Sequence, residues 1–183
     1  MTENTTAKDV LAFWFEEIEP KAHWVKDASF DATIARRFGR THRRAASAEL
    51  WSWRATAGGR LAEIIVLDQF SRNLFRDSAA AFAHDALALG LAQEAVATGA
   101  DKTLSAQERS FLYMPYMHSE SALIHEQAVE LFGELGIQSS LDFEQRHKTI
   151  IDRFGRYPHR NALLGRESTA AEQAFLAEPG SSF

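Results

Sequence analysis

The chain has no cysteine in its 183 residues. Disulfides, thiol catalysis and any zinc site built on sulfur are thereby excluded, and the composition suits a reducing compartment, the cytoplasm. Long apolar runs are missing too: no stretch approaches the ~18–20 continuous apolar residues that a membrane-spanning helix needs. The opening residues, MTENTTAKDV, have neither the basic start nor the apolar centre of an export signal. Positive charge is also short, with 20 Lys and Arg against 25 Asp and Glu, a formal net charge of -5. A dedicated nucleic-acid binder usually carries a positive field that displaces counterions from phosphates, so that class is disfavoured. Arg36, Arg37, Arg40, Arg43 and Arg44 are a local exception. They fall in the last turns of a predicted helix, where positive charge is favourable by roughly 0.3–1 kcal/mol, and read as a solvated face. The phosphate-cradling, dinucleotide-binding and nucleophile-elbow glycine motifs are all absent. His125 and Glu126 open like a zincin motif, but Val129 stands where the second helical ligand belongs.

What remains is 45% apolar and 25% charged, enough for one substantial core. The sequence predicts a single domain over residues 1–183, with flexible tails at 1–5 and 179–183. A helix begins at Thr6, where TAKDVLAFWFEEI supplies a capping hydroxyl and an acidic residue three positions on, and it ends at Pro20. A short link holds His23 and Trp24, after which Asp31 is placed to cap a second helix through Ile34, Phe38 and Ala45. Gly58 and Gly59 break the chain, and a third helix runs from about Arg60 through LAEIIVLDQFSR, apolar nearly all round and hence buried. An unbroken alanine-rich helix is expected over 79–97, another capped by Ser105, an amphipathic one over 120–135, one from Asp142 to Phe154 after Gly136, and a last one over 169–176. No segment alternates with period two between turn signals, so no strand is expected. The fold class is all-α, built of antiparallel helical hairpins.

Three polar corners interrupt this pattern. In IIVLDQFSRNLF, Asp68 lies on the stripe that buries Ile64 and Ile65, and a buried carboxylate requires a partner. Arg72 is one turn on, and Gln69 and Asn73 form a second pair with the same spacing. In FLYMPYMHSES, Pro115 forces a kink or an end, and His118, Ser119 and Glu120 occupy the turn, with Ser119 or Ser121 as the next cap. In DRFGRYPHRN, the five polar residues Arg153, Arg156, His159, Arg160 and Asn161 crowd nine positions around a Gly and Pro turn. In an antiparallel array the third, fifth and seventh helices run the same way, so these corners share one edge, and the loop with His23 and Trp24 falls there as well.

These motifs, with the N-terminal VLAFWF and the continuation NALLGRESTAAEQAFL, resemble a bacterial family catalogued as domain-of-unknown-function family 924. The likeness runs over nearly the whole chain. It implies an all-helical fold similar to the tetratricopeptide (TPR-like) right-handed superhelical array and implies no activity. The family's characteristic residues fall here on Asp68, Gln69, Arg72, Asn73, His118, Ser119, Glu120, Arg153, Gly155, Arg156, Pro158, His159, Arg160 and Asn161. The chain departs from the family in HWVKD, where an aromatic pair around Trp24 is usual.

The residues point first to a binding module. Its edge, comprising Asp68, Gln69, Arg72, Asn73, His118, Glu120, Arg153, Arg156, His159, Arg160 and Asn161, would hold an anionic small molecule or peptide, because guanidinium groups bind carboxylate and phosphate bidentately. Acid–base catalysis by His118 or His159 with a carboxylate such as Glu120 is the alternative, weighted below binding. A purely structural or interaction protein is the third reading, its working surface either the arginine helix or an exposed aromatic patch of Phe13, Trp14, Trp51 and Trp53 that mediates dimerisation. No cofactor is implied, and a metal held by Asp68, His118, Glu120 and His159 has no spacing signature behind it.

Overall fold

Capping residues set where most of the helices begin. Thr6 closes a capping box with Asp9 ahead of α1 (Ala7–Ala12), Asp27 caps α2 (Ala28–Ala46), and Thr56 caps α3 (Ala57–Leu74). After α4 (Asp85–Ala97), Ser105 closes a second box before α5 (Ala106–Met117), followed by α6 (Ala122–Leu135) and α7 (Gln138–Phe154), and Thr169 closes a third before α8 (Ala170–Leu176). This computed structural model describes residues 5–181, and among them there are eight α-helices and no strand. Of the two expected tails, residues 1–4 and 182–183 lie outside the described residues. Ser181 turns back, its hydroxyl donating to the Leu176 carbonyl at 3.1 Å.

Successive helices from α2 to α7 pack on one another as a hairpin array, consistent with the TPR-like expectation, and α3 also touches α1 and α5. That central position explains why α3 buries every residue from Leu61 to Ser71, Glu63, Asp68, Gln69 and Ser71 included. Each large aliphatic side chain buried there contributes roughly 1.5–3 kcal/mol. A second, smaller apolar cluster of Ile150, Ile151 and Tyr157, with Phe154 and Phe175, holds the end of α7 against α8.

Five boundaries differ from the sequence reading, the first in the opening helix, which gives way after Ala12 to a π-helical turn over Phe13–Glu17 and then to a 3-10 turn that Pro20 opens. Asp27, not Asp31, caps α2; Asp31 sits one turn inside and takes both Arg76 and Asn73 of the next hairpin arm. The two glycines do not break the chain but lie in the first turn of α3. Gly59 fits because a Cβ there would meet the Trp53 carbonyl oxygen at 1.9 Å. The alanine-rich stretch is interrupted: a 3-10 turn over Ala79–Phe82 precedes α4, and Asp77 upstream has a left-handed φ of 58°. Finally α7 starts at Gln138, directly after Gly136 ends α6 at φ 76°. Pro115 is accommodated in the last turn of α5, and Ser121 holds the cap position of α6 without a side-chain capping bond.

The supposed aromatic patch does not exist as a surface. Phe13 and Trp14 are core residues against Phe38, Phe70 and Phe111, because α1 packs across α3; Trp51 alone of the four is well exposed. Among the described residues no helix is long and apolar enough to cross a membrane.

Candidate functional site

The three polar corners meet. Asp68, near the C-terminal end of α3, accepts a 2.7 Å hydrogen bond from Nδ1 of His118, the residue that ends α5. Gln69 Nε2 donates to the other Asp68 oxygen at 2.5 Å, and Arg72 Nη1 lies 3.1 Å from the oxygen that His118 uses. Burial pushes the Asp68 carboxyl up, but Arg72 and His118 outweigh it and hold it well below the usual carboxylate range. Asp68 is therefore ionised and can only accept, so Nδ1 carries the ring proton. Burial and Arg72 together lower the His118 pKa despite the carboxylate, and the ring is neutral at pH 7. Its Nε2 is then a lone-pair acceptor with no hydrogen-bond partner among the described residues.

Beside this dyad one carboxylate serves two guanidinium groups. Asp85, the first residue of α4, faces Arg72 at 3.1 Å through both oxygens and Arg160 at 3.3 Å through one. Four other arginines sit closer to their carboxylates: Arg54 on Glu63, Arg76 on Asp31, Arg156 on Glu172 and Arg166 on Glu120 all lie at 2.7–2.9 Å, while the surface pair of Arg44 with Glu49 is at 3.3 Å. The Arg160 guanidinium is sandwiched between the rings of Phe82 and Tyr157, at 4.5 and 4.6 Å, and donates to the His118 carbonyl at 3.1 Å. Its Nε is buried and has no partner among the described residues. Burial, with Arg72 close by, lowers the Arg160 pKa from its ordinary value. The side chains nevertheless reach the surface, with exposures of 21% for Arg72, 17% for Asp85, 13% for His118 and 7% for Arg160.

The turn that carries His118 is pinned from behind. Glu120 accepts the Tyr157 amide at 2.7 Å and both arms of Arg166. Burial raises its pKa, but Arg166 and that amide more than offset the effect, so it stays ionised and is committed. The Tyr157 hydroxyl donates to the Met117 carbonyl at 2.5 Å. Buried His125 donates from Nε2 to the Ser119 carbonyl at 2.8 Å and meets Glu144 through Nδ1 at 2.6 Å, and burial raises the Glu144 pKa. Both His125 nitrogens are occupied, which gives this second dyad a structural role.

Of the expected edge residues, Asp68, Gln69, Arg72, His118 and Arg160 share one network, while Glu120 and Asn161 belong to a separate one centred on Arg166. Asn73 points the other way, to Asp31. Arg153 is exposed and lies over Phe154 and Phe175. Arg156 grips Glu172 and the Glu167 carbonyl, fastening α8. His159 packs against the Tyr157 ring, and burial followed by Arg160 takes its pKa down to about 4. The link residues His23 and Trp24 turn instead to Trp14 and Phe111. Sequence reasoning missed Phe82, Asp85, Tyr157 and Arg166. An aspartate that opens a helix next to a histidine, as in Ala83-His84-Asp85, was the available signal for the first pair, and it is hidden when the stretch is read as one helix. No group of three or more metal-ligating side chains occurs among the described residues.

Comparison with known proteins agrees with the fold and adds no reaction. No curated protein matches the chain. The solved structure of a protein of unknown function from Agrobacterium tumefaciens superposes with a TM-score of 0.89 at 39% identity, over 93% of this chain and 96% of that one. A family profile described as bacterial protein of unknown function (DUF924) matches residues 10–180, and the chain belongs to that family.

Proposed function

We propose that the protein is a helical binding module for a small anion, held between Arg72 and Arg160 beside His118. The observation that carries this reading is Asp85: one partly exposed carboxylate stands at 3.1–3.3 Å from two guanidinium groups that closer anionic oxygens would satisfy better. An incoming carboxylate or phosphate would displace or supplement it. Acid–base catalysis is the second reading, favoured by the Asp68–His118 dyad. Binding ranks first because catalysis needs the substrate to be held, whereas holding it needs no catalysis.

The test is thermal unfolding in phosphate, acetate and chloride at equal ionic strength, for the parent and Asp85→Asn. Asp85→Asn removes the resident anion with little change of shape. It is expected to melt earlier than the parent in chloride and to recover more than the parent in phosphate, by mass action on the folded state. Stabilisation of about 1 kcal/mol corresponds to roughly 2–4 °C at this chain length. Identical melting of the parent in all three salts sinks the proposal, whether or not the variant folds.

A further inference from the structure

We infer that the protein associates with further copies of itself, the outer face of α2 in one copy docking on the outer face of α6 in the next. The observation behind this is a pair of complementary charge stripes. α2 presents Arg36, Arg40 and Arg43 to solvent at intervals of four and three residues, which puts them on one side of the helix. α6 presents Glu126, Glu130 and Glu134 at intervals of four, all exposed as well. Among the described residues neither Arg36 nor Arg43 has a carboxylate within ion-pair reach, and none of the three glutamates has a cation. The arginines beside the stripe are already compensated, Arg37 by Glu17 and Arg44 by Glu49.

Nothing within one chain joins the two stripes. α2 opens the hairpin array and packs on α3, whereas α6 packs on α5 and α7 toward the other end. The only carboxylate in α2 is Asp31, which Arg76 and Asn73 take, and α6 contains no Lys or Arg, so each face keeps one sign along its length. The stripes also match in length: at a rise of about 1.5 Å per residue they run roughly 10 and 12 Å, with one charge per turn in both. The chain's net charge of -5 does not prevent the contact. A Debye length of about 8 Å at physiological salt hides distant like charges and leaves touching stripes attracted. Leu123, 65% exposed and three residues before Glu126 on the same side of α6, would lose water there. Two helix faces cover less than a permanent interface does, so the association is weak and reversible. Because the joined faces differ, the contact is heterologous and adds copies head to tail.

Sedimentation equilibrium of the full chain at pH 7.5 tests this with two sets of charge reversals at exposed positions. One variant carries Arg36→Glu, Arg40→Glu and Arg43→Glu; the other carries Glu126→Arg, Glu130→Arg and Glu134→Arg. The parent is expected to associate with a dissociation constant that rises about ten-fold from roughly 0.05 to 0.5 M NaCl, as screening weakens the contact. Each variant alone should be monomeric, since its two faces then share one sign. An equimolar mixture of the two should associate again, because each acidic face of the first meets a basic face of the second. A parent that stays monomeric up to about 1 mM at the lower salt would overturn the proposal. Association that survives either set of reversals, or a mixture that stays monomeric, would overturn it too. A monomeric parent whose α2 face instead binds an acidic peptide would assign that face to another protein and likewise end the proposal. If a variant does not fold, hydrogen exchange of the parent decides: protection gained on concentration must fall on α2 and α6 and disappear at the higher salt, and protection gained elsewhere would overturn the assignment.

Discussion

At the scale of single residues, Asp68 has two roles. Its carboxylate is 1% exposed and is surrounded by His118, Gln69 and Arg72, so it ties the end of α3 to the end of α5 while setting the tautomer of His118. Asp68→Ala takes the acceptor from the His118 Nδ1–H and the Gln69 amide and leaves Arg72 with Asp85 as its remaining carboxylate, and it is expected to cost about 1–3 kcal/mol. Asp68→Asn, which preserves the shape and can still accept from Nδ1, should cost less. Urea unfolding of both variants checks the ranking, and a larger loss in the asparagine variant would contradict it. Three other histidines set the acid limit. Burial pushes His42 and His159 down to about 4 and His147 to about 3, against an ordinary value of 6.5. The unfolded chain takes up these protons first, so their contribution to stability is full above pH 6.5 and is lost as the pH falls toward 4 and below. Each group gives a slope of up to about 1.4 kcal/mol per pH unit in that window. The urea midpoint should therefore drop steeply from pH 6.5 to pH 4, and His42→Gln should flatten the drop; an unchanged slope would show that His42 does not carry it.

At the scale of elements, the sequence located the helices wherever a local device begins or ends them. Thr6, Ser105 and Thr169 act as the capping boxes that their spacing predicts, and Gly136 and Gly155 end α6 and α7 at φ 76° and 69°. It failed where a contact from elsewhere decides. Nothing local separates Ala79–Phe82 from α4; the interruption places Phe82 on Arg160 and Asp85 on Arg72, so packing overrides helix propensity. Asp31 has the look of a cap, yet Arg76 and Asn73 claim it. Two glycines make the distinction measurable. In α3, a methyl at Gly59 would meet the backbone of Trp53 at 1.9 Å, and backbone in a packed turn cannot give way. In α4, a methyl at Gly90 meets nothing within 4 Å. Intrinsic propensity alone favours alanine at both helical sites. Gly90→Ala should stabilise by about 0.5–1 kcal/mol, and Gly59→Ala should destabilise by at least about 2 kcal/mol. Denaturant midpoints of opposite sign are expected, and a stabilising Gly59→Ala would mean that the turn over Trp51–Ala55 is free to move.

At the scale of the whole molecule, the direction of the helices was enough to bring three polar corners to one edge, and the bonds from Asp68 to His118 and from Arg160 to the His118 carbonyl are that edge. Direction could not tell which side chains face the cluster and which fasten its surroundings. Arg156 and Arg160 lie four residues apart in one turn, yet the first ties down α8 and the second is drawn under Phe82. What brings Arg160 into place is the polar packing of residues 157–168: Glu120 receives Tyr157 and Arg166, and Asn161 bridges Arg166 to Ser168. Apolar support for this region is only the small cluster around Ile150, Ile151 and Tyr157, distinct from the core built on α3. The segment should therefore open locally at a lower free energy than the core does. Arg166→Ala removes four side-chain bonds, to Glu120, the Tyr157 carbonyl and Asn161, while touching nothing on α1 to α4. Hydrogen exchange of that variant should rise across residues 157–168 and stay unchanged in the α3 core, and its thermal response to phosphate should shrink because Arg160 is no longer held. Faster exchange spread evenly over α3 as well would make the segment part of one cooperative unit. In that case a weaker anion response would follow from lost global stability rather than from a displaced Arg160, and the phosphate response of Asp85→Asn would be the observation left to separate the two.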